Sequence, residues 1–198
     1  MDTEHEAPEL APGEMLQSEF AYIAQTAFQA NEDRARVTTF YLVNLGGLVA
    51  ALVSSQLSNS LQPEVNLLLA CLFLILSFSG LLTILQLVRL RDAWHESVRA
   101  MNRIKAYYAS RFSQINLSEA FGWNATTLPA RYKASSISFL LAIQVALLSA
   151  ISLAAAVYYI GLLAGVQAWL GALLGGLAFF IIQLVLYWNL LREKKKKK

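Results

Sequence analysis

The chain has 198 residues, of which 57% are apolar and only 15% are charged, with a net charge of +3 and a mean hydropathy of +0.48. Soluble domains carry about 25% charged residues. This composition excludes an ordinary soluble domain and indicates a membrane protein.

Four stretches carry no charged residue, and they lie at 37–57, 65–88, 136–160 and 166–191. Each has the length of helix, about 20 residues, that crosses the hydrocarbon core of a bilayer. Because backbone amides in lipid must be hydrogen-bonded within their own segment, each stretch is predicted to be a helix. The predicted fold is therefore an all-α integral membrane protein with four transmembrane helices, paired as two hairpins.

The start of the chain differs from a signal peptide. Its first 19 residues contain six acidic side chains and no Lys or Arg, whereas a signal peptide begins with basic residues and continues with an apolar core. We expect no signal peptide here. Residues 1–15 are predicted to form a disordered acidic tail.

The orientation follows from the 16 Lys and Arg residues. They lie before the first span, between the second and third spans, and after the fourth, whereas the short connections 58–64 and 161–167 contain none. Basic residues close to span ends stay on the cytoplasmic side. Both termini and the central segment are therefore predicted to be cytoplasmic, and the bacterial inner membrane is the expected location.

Basic residues next to the spans are candidates for binding anionic lipid headgroups. They are Arg34, Arg36, Lys194, Lys195 and Lys196. The spacing of Glu32 and Arg36 also predicts an ordinary i,i+4 ion pair on the helix surface. Two alternatives stay open: a specific contact of residues 32–36 with the central helix, and a retrieval signal in the polybasic tail 192–198.

The first unit of the chain, 16–115, is predicted to contain an amphipathic helix, the first hairpin and a cytoplasmic helix at 89–115. No Pro lies between Pro63 and Gly122, so the second span is expected to continue into that helix without a break. Its apolar residues follow a heptad-like, coiled-coil spacing. The predicted interface residues are Trp94, Val98, Met101, Ile104, Tyr108 and Phe112.

A similar apolar stripe precedes the first span, and its members are Leu16, Phe20, Ile23, Ala27 and Phe28. Since a seven-residue loop makes the first two spans antiparallel neighbours, the two stripes are expected to pair as a cytoplasmic helical stalk. The alternative is that the stripe also binds a second copy or a partner protein. Residues 116–135 are predicted to form a connector, punctuated by Gly122 and Pro129, before the second hairpin at 136–191.

The predicted spans contain no Asp, Glu, Lys, Arg or His, which argues against proton-coupled transport, voltage sensing and intramembrane metal chemistry. Among the uncharged polar residues, Gln144 and Gln183 are deep enough to hydrogen-bond between helices. They are expected to join helices, or alternatively to line a narrow pore in an oligomer. Small residues at four-residue spacing, such as Ala150/Ala154 and Ala172/Gly176, predict close helix packing.

Signals of catalysis are weak. Asp92, His95 and Glu96 share one helical face, but no second histidine lies nearby, so surface electrostatics is favoured over a metal site. The sequence contains no Gly-rich phosphate loop and no nucleophile elbow. We therefore predict no catalytic, cofactor-binding or metal-binding residue, and no cofactor.

The layout of residues 16–115, a short helix followed by a membrane hairpin and a long cytoplasmic helix, resembles that of the SLATT group of small bacterial membrane effectors. The resemblance implies a pore-forming role in a conflict system and transfers no site residue. The second hairpin at 136–191 departs from the two-span pattern of that group.

Two functions are therefore expected. The first is a non-enzymatic scaffold or assembly module that forms a homo-oligomer, or binds a cytoplasmic protein, through its cytoplasmic helices. The alternative is an oligomeric ion channel or pore-forming effector, and a lipid-modifying enzyme is a distant third. Anionic lipid is the expected small partner, and no nucleic acid is expected to bind.

Overall fold

A computed structural model describes residues 12–54, 63–111 and 128–192 of the chain. These residues contain four helices and no strand. The helices are α1 (Pro12–Ser54), α2 (Pro63–Arg111), α3 (Ile137–Leu163) and α4 (Trp169–Leu191). The described part of the chain is therefore all-helical, as predicted.

The chain divides into two compact units. The terminal unit comprises residues 1–31 and 93–129, and the bundle unit comprises residues 32–92 and 130–198. Both α1 and α2 are longer than 40 residues. Each of them contributes one segment to the terminal unit and one to the bundle unit.

Proline begins both long helices. Pro12 is the first residue of α1 and Pro63 the first of α2. This position suits proline because the first amides of a helix have no intrahelical acceptor and the ring fixes a helical φ. The prediction that α2 runs unbroken from Pro63 through the charged segment is confirmed as far as Arg111. The predicted tail 1–15 is wrong for residues 12–15, which belong to α1.

The second hairpin has well-defined caps. Ser136 precedes α3, and its side chain accepts a hydrogen bond from the backbone N–H of Phe139 at 3.3 Å. After α3 the chain reverses at Gly165, whose φ of +66° lies in the left-handed region that glycine adopts without strain. The Val166 amide then donates to the Gly161 carbonyl at 2.9 Å. This turn makes α3 and α4 antiparallel neighbours.

All four helices contribute to one buried core in the bundle unit. Its buried members are Tyr41 from α1, Ile84, Leu87 and Val88 from α2, Ala142, Val145 and Ala146 from α3, and Tyr187 and Leu191 from α4. A second cluster joins Leu69, Phe73 and Leu76 of α2 to Ala156 of α3, with Leu45 and Leu48 of α1 packed against it. The bundle unit therefore has a buried core to which all four helices contribute.

The outer surface of the bundle unit is apolar. Exposed large apolar side chains occur on every helix, and α4 carries the densest set: Leu170, Leu173, Leu174, Leu177, Ile181, Ile182 and Val185. Several interior positions are polar instead, among them Thr38, Ser77, Ser149, Ser152 and Gln183. A water-soluble bundle has the opposite distribution.

Three of the described helices, α2, α3 and α4, are long and apolar enough to cross a membrane. The predicted spans 65–88, 136–160 and 166–191 fall within them or extend past their ends by a few residues. The other predicted span, 37–57, belongs to α1 as far as Ser54, and its remainder lies outside the described residues. Length and composition are thus those of a multi-pass membrane protein.

Small residues allow α3 and α4 to pack closely, as the sequence predicted. Ala150, Ala172 and Gly176 are buried. A Cβ atom on Gly176 would lie 3.0 Å from the Ala150 carbonyl oxygen and 3.1 Å from the Ala154 Cβ. The helix backbones therefore approach as closely as they do at small-residue interfaces of membrane helices.

Gly80 of α2 lies in close contact with α1 and α3, and its replacement tests the packing. A Cβ atom on Gly80 would overlap the Ser149 Cβ and lie 2.9 Å from the Tyr41 hydroxyl oxygen. We expect Gly80→Ala to destabilise the bundle by about 1–3 kcal/mol, because α2 and α3 must separate. Thermal unfolding in detergent or nanodiscs measures the change.

Gly175→Ala is the matched control, because nothing lies within 4 Å of its Cβ position. Alanine there is expected to leave the stability unchanged or raise it, since it removes the entropic cost of a helical glycine. Equal losses of stability in the two variants would contradict the close contact at Gly80.

Candidate functional site

A cluster of arginines lies at one end of the bundle unit, where α1 and α2 pass the segment that leads into α3. Arg34 of α1 is only 8% exposed, and its guanidinium donates a hydrogen bond to the Ser138 hydroxyl. The Thr38 hydroxyl in turn donates to the Arg34 carbonyl at 2.9 Å. We call Arg34, Arg91 and Arg131 the arginine cluster.

Arg91 of α2 holds the backbone that precedes α3. Its Nε donates to the Arg131 carbonyl at 3.0 Å and its Nη2 to the Ala130 carbonyl at 3.2 Å. An ion pair between Arg131 and Asp92, with an N–O distance of 2.8 Å, ties the same segment to the same helix. Two side chains of α2 therefore fix the entry of the chain into α3.

The arginine cluster brings positive charges together in a largely buried place. Burial lowers the pKa of Arg34, and the nearby charge of Arg91 lowers it further. Burial lowers the pKa of Arg91 as well. Guanidinium groups stay protonated in proteins, so the charge persists. Charged donors form stronger hydrogen bonds than neutral ones, which suits the cluster to holding backbone rather than to proton transfer.

The structure corrects the expectation that Arg34 binds lipid headgroups, because its side chain is buried and bonded to Ser138. Arg36 is exposed, as a headgroup ligand requires, with 79% of its side chain accessible. Its ion pair in the structure is with Asp33 at i,i+3, with an N–O distance of 3.6 Å, in place of the predicted pair with Glu32. Lys194, Lys195 and Lys196 lie outside the described residues.

The deepest polar site lies inside the bundle unit and joins three helices. The side-chain amide of Gln183, which is fully buried, donates to the Ser149 hydroxyl at 2.9 Å. Ser149 donates in turn to the Ser77 carbonyl at 3.1 Å. We call Gln183, Ser149 and the Ser77 carbonyl the polar chain. The prediction that Gln183 hydrogen-bonds between helices is confirmed.

Gln144 lies elsewhere. Its side chain is exposed on the outer surface of α3, and its predicted role in joining helices or lining a pore stays a prediction. Ser149, five residues further along α3, supplies the interior polar group instead. Serines are common in membrane helices and often hydrogen-bond within their own helix. The neighbouring Ser152 does so, since its hydroxyl donates to the Leu148 carbonyl. Only the fold shows that Ser149 bonds to another helix instead.

The terminal unit contains a groove lined by residues from both of its helical segments. Leu16, Gln17 and Phe20 of α1 face Ile104, Lys105 and Tyr108 of α2 across a volume of about 300 Å³. Four of them, Leu16, Phe20, Ile104 and Tyr108, belong to the two apolar stripes that the sequence predicts to pair. Ile104 and Tyr108 therefore face the stripe on α1, as the sequence predicts.

The stripe on α2 is rotated relative to its prediction. Val98 is buried as expected, whereas Trp94, Met101, Ile104 and Tyr108 are half-buried. The other buried positions on this part of α2 carry polar side chains, namely His95, Ser97 and Asn102. Phe112 lies outside the described residues.

His95 was expected at the surface, and this is wrong, because it is only 2% exposed. Its Nε2 lies 3.1 Å from the Pro129 carbonyl oxygen, and a carbonyl only accepts, so Nε2 is the donor. In the same way the acid Asp92 is engaged by Arg131. Within the described residues no group of three His, Cys, Asp or Glu side chains could hold a metal ion.

Large apolar side chains are also exposed on the terminal unit. Met15 is 63% exposed, Tyr22 67%, Phe28 63% and Tyr107 46%. Phe28 was assigned to the buried stripe of α1, and this is wrong. The buried residues in this part of α1 are Ala27 and Ala30. Nothing in the sequence indicated that Met15, Tyr22 and Tyr107 would be exposed apolar residues of this unit.

No protein-family model matches the chain, and no curated protein and no solved structure matches it either.

Removal of the Arg91 guanidinium tests its hold on the segment before α3. We expect Arg91→Gln to lower the free energy of unfolding by about 1.5–3 kcal/mol, because two hydrogen bonds from a charged donor are lost. Amide hydrogen exchange is expected to quicken in residues 130–136. Thermal unfolding and exchange measured by mass spectrometry check the two effects.

Arg99→Gln provides the control, since Arg99 is an exposed arginine on the same helix. Its stability is expected to change by less than about 0.5 kcal/mol. Unchanged exchange in residues 130–136 of Arg91→Gln would contradict the assignment.

Proposed function

We propose that this protein is a four-span membrane protein whose termini and central segment are cytoplasmic and which works as a non-enzymatic assembly module. Three described helices long and apolar enough to cross a membrane support this topology. The uncharged segment 37–54 of α1, helical and joined to the same core through Tyr41, supports a fourth span. The placement of all Lys and Arg residues outside the two short connections supports the orientation.

The observation that carries the assembly role is the exposed apolar surface of the terminal unit. Met15, Tyr22, Phe28 and Tyr107 belong to segments that contain charged residues and lie outside the predicted spans. In water each exposed aromatic or aliphatic side chain costs free energy that a partner surface would recover, about 25 cal/mol per Å². Met15 and Tyr22 are seven residues apart and share one face of α1. Aromatic residues on a helix face are typical of protein interfaces.

A second copy of the chain is the partner that we favour. Two amides on the outer surface of the bundle unit support self-association: Asn44 in α1 and Gln144 in α3 are both exposed, each about two turns into its predicted span. A primary amide that faces lipid gains by hydrogen bonding to an amide of another copy, at about 0.6–2 kcal/mol. Asn44 already donates to the Phe40 carbonyl at 2.8 Å, so its carbonyl oxygen is the acceptor for such a bond.

The second candidate function is a pore formed by several copies. The interior of one bundle unit is filled by side chains of all four helices, so a conducting path would have to run between copies. The outward amides Asn44 and Gln144 are the groups that would line it. The SLATT-like layout of residues 16–115 implies the same role.

The double variant Tyr22→Lys/Phe28→Lys tests the assembly role. Two charges on the exposed face of α1 are expected to reduce the oligomer to monomers, because a buried lysine without a partner is costly at an interface. Native mass spectrometry of the full chain released from nanodiscs, together with light scattering corrected for lipid, measures the mass. A monomeric wild-type chain would reject self-association.

Ser135→Lys is the control, because it adds a charge at an exposed polar position of the bundle unit, away from this face of α1. It is expected to keep the mass of the wild type. Loss of assembly in this variant too would point to net charge rather than to the face that contains Tyr22 and Phe28.

Replacement of Gln144 separates the two candidate functions. If copies form a pore, purified protein in a planar bilayer conducts, and Gln144→Leu is expected to reduce the unitary conductance severalfold because the outward amide is removed. Asn189→Leu, an exposed amide at the end of α4, is expected to conduct like the wild type. If the wild-type protein assembles but does not conduct, the pore hypothesis is rejected and the assembly module is retained.

A further inference from the structure

An open groove of about 480 Å³ lies between α1 and α2 in the bundle unit. Its walls include Val37, Leu82 and Leu85, and its polar lining consists of Asp33, Gln86 and Arg89. The volume lies within the range of small-molecule sites. The polar chain and the arginine cluster do not contribute to its lining.

The position of the groove follows the boundary of the predicted spans. Val37 begins the first span, and Leu82 lies nearly two turns inside the second. Asp33 and Arg89 lie just outside the same two spans. The groove therefore has apolar walls at the depth of acyl chains and charged side chains at the depth of headgroups. A phospholipid, with its apolar acyl chains and charged headgroup, matches both parts.

The two charges at the groove are of opposite sign. A guanidinium binds a phosphodiester through paired N–H donors, and a carboxylate accepts from an ammonium group. An anionic headgroup would satisfy Arg89 and be repelled by Asp33. A zwitterionic headgroup offers a phosphate to Arg89 and an ammonium group to Asp33. Each of the two side chains then meets a charge of opposite sign.

The ion pair of Asp33 with Arg36 leaves the carboxylate accessible to such a headgroup. The N–O distance is 3.6 Å and the Arg36 side chain is 79% exposed. Exposed pairs of this kind contribute little to stability. Asp33 also has a second oxygen that can accept from another donor.

We propose that this groove binds one zwitterionic glycerophospholipid, with its phosphate at Arg89, its ammonium group at Asp33 and an acyl chain along Val37, Leu82 and Leu85. The inference rests on the insertion of the bundle unit in a membrane and is independent of the assembly role. It goes beyond the general attraction of basic residues to anionic lipid, because it requires the acidic side chain.

The test uses the full chain in nanodiscs that contain equal amounts of phosphatidylethanolamine and phosphatidylglycerol. Native mass spectrometry after release counts the retained lipids by mass. Wild-type protein is expected to retain one phosphatidylethanolamine in preference to phosphatidylglycerol. Asp33→Asn is expected to reduce that preference about fivefold, since one charge near a headgroup changes binding by about that factor.

Arg89→Gln is expected to lose retention of both lipids, and Leu82→Trp, which fills the groove from an exposed position, is expected to do the same without altering charge. Arg103→Gln, an exposed arginine further along α2, is expected to retain lipid as the wild type does. Preferential retention of phosphatidylglycerol, or an unchanged preference in Asp33→Asn, would overturn the proposal. The mass of the protein oligomer in the same spectra reports the assembly role separately.

Discussion

The bundle unit depends on the contact between Gly80 and Ser149. Because glycine leaves no Cβ there, α2 and α3 approach closely enough for the Ser149 hydroxyl to reach the Ser77 carbonyl on α2. The same hydroxyl accepts the Gln183 amide from α4. In lipid the hydrophobic effect does not drive helices together, so close packing and interhelical hydrogen bonds supply the specificity. One small residue and one hydroxyl thus determine which faces of three helices meet.

A second set of constraints operates where the helices leave the predicted spans. Arg34 and Arg91 are buried there and donate to Ser138 and to the backbone before α3. Buried cations are costly unless hydrogen bonds satisfy them, so their positions restrict how the second hairpin joins the first. The polar chain holds the interior of the bundle, and the arginine cluster holds one of its ends. The functional proposals concern the outer surfaces of the protein.

Those surfaces differ in chemistry. The terminal unit exposes aromatic side chains among charged ones, which suits contact with protein. The groove beside Asp33 and Arg89 combines apolar walls with two opposite charges, which suits a phospholipid. Asn44 and Gln144 present amides on an otherwise apolar exterior and suit contact with another copy. All three proposed contacts thus lie on the outside of the protein.

Hydropathy and charge spacing alone predicted that the chain is all-helical and apolar enough for a membrane, and that α2 continues without a break past its apolar part. These properties are local, because a helix in lipid satisfies its own backbone and needs no partner to be recognised. The side of each helix that faces inward was decided by tertiary structure. Val98 was identified as buried, but His95 was placed at the surface, because burial depends on a partner atom. The Pro129 carbonyl is within reach of His95, and Ser149 is the α3 side chain that Gln183 contacts. A polar side chain in an apolar surrounding is stable only where a specific donor or acceptor lies close by, and that proximity exists only in the folded chain.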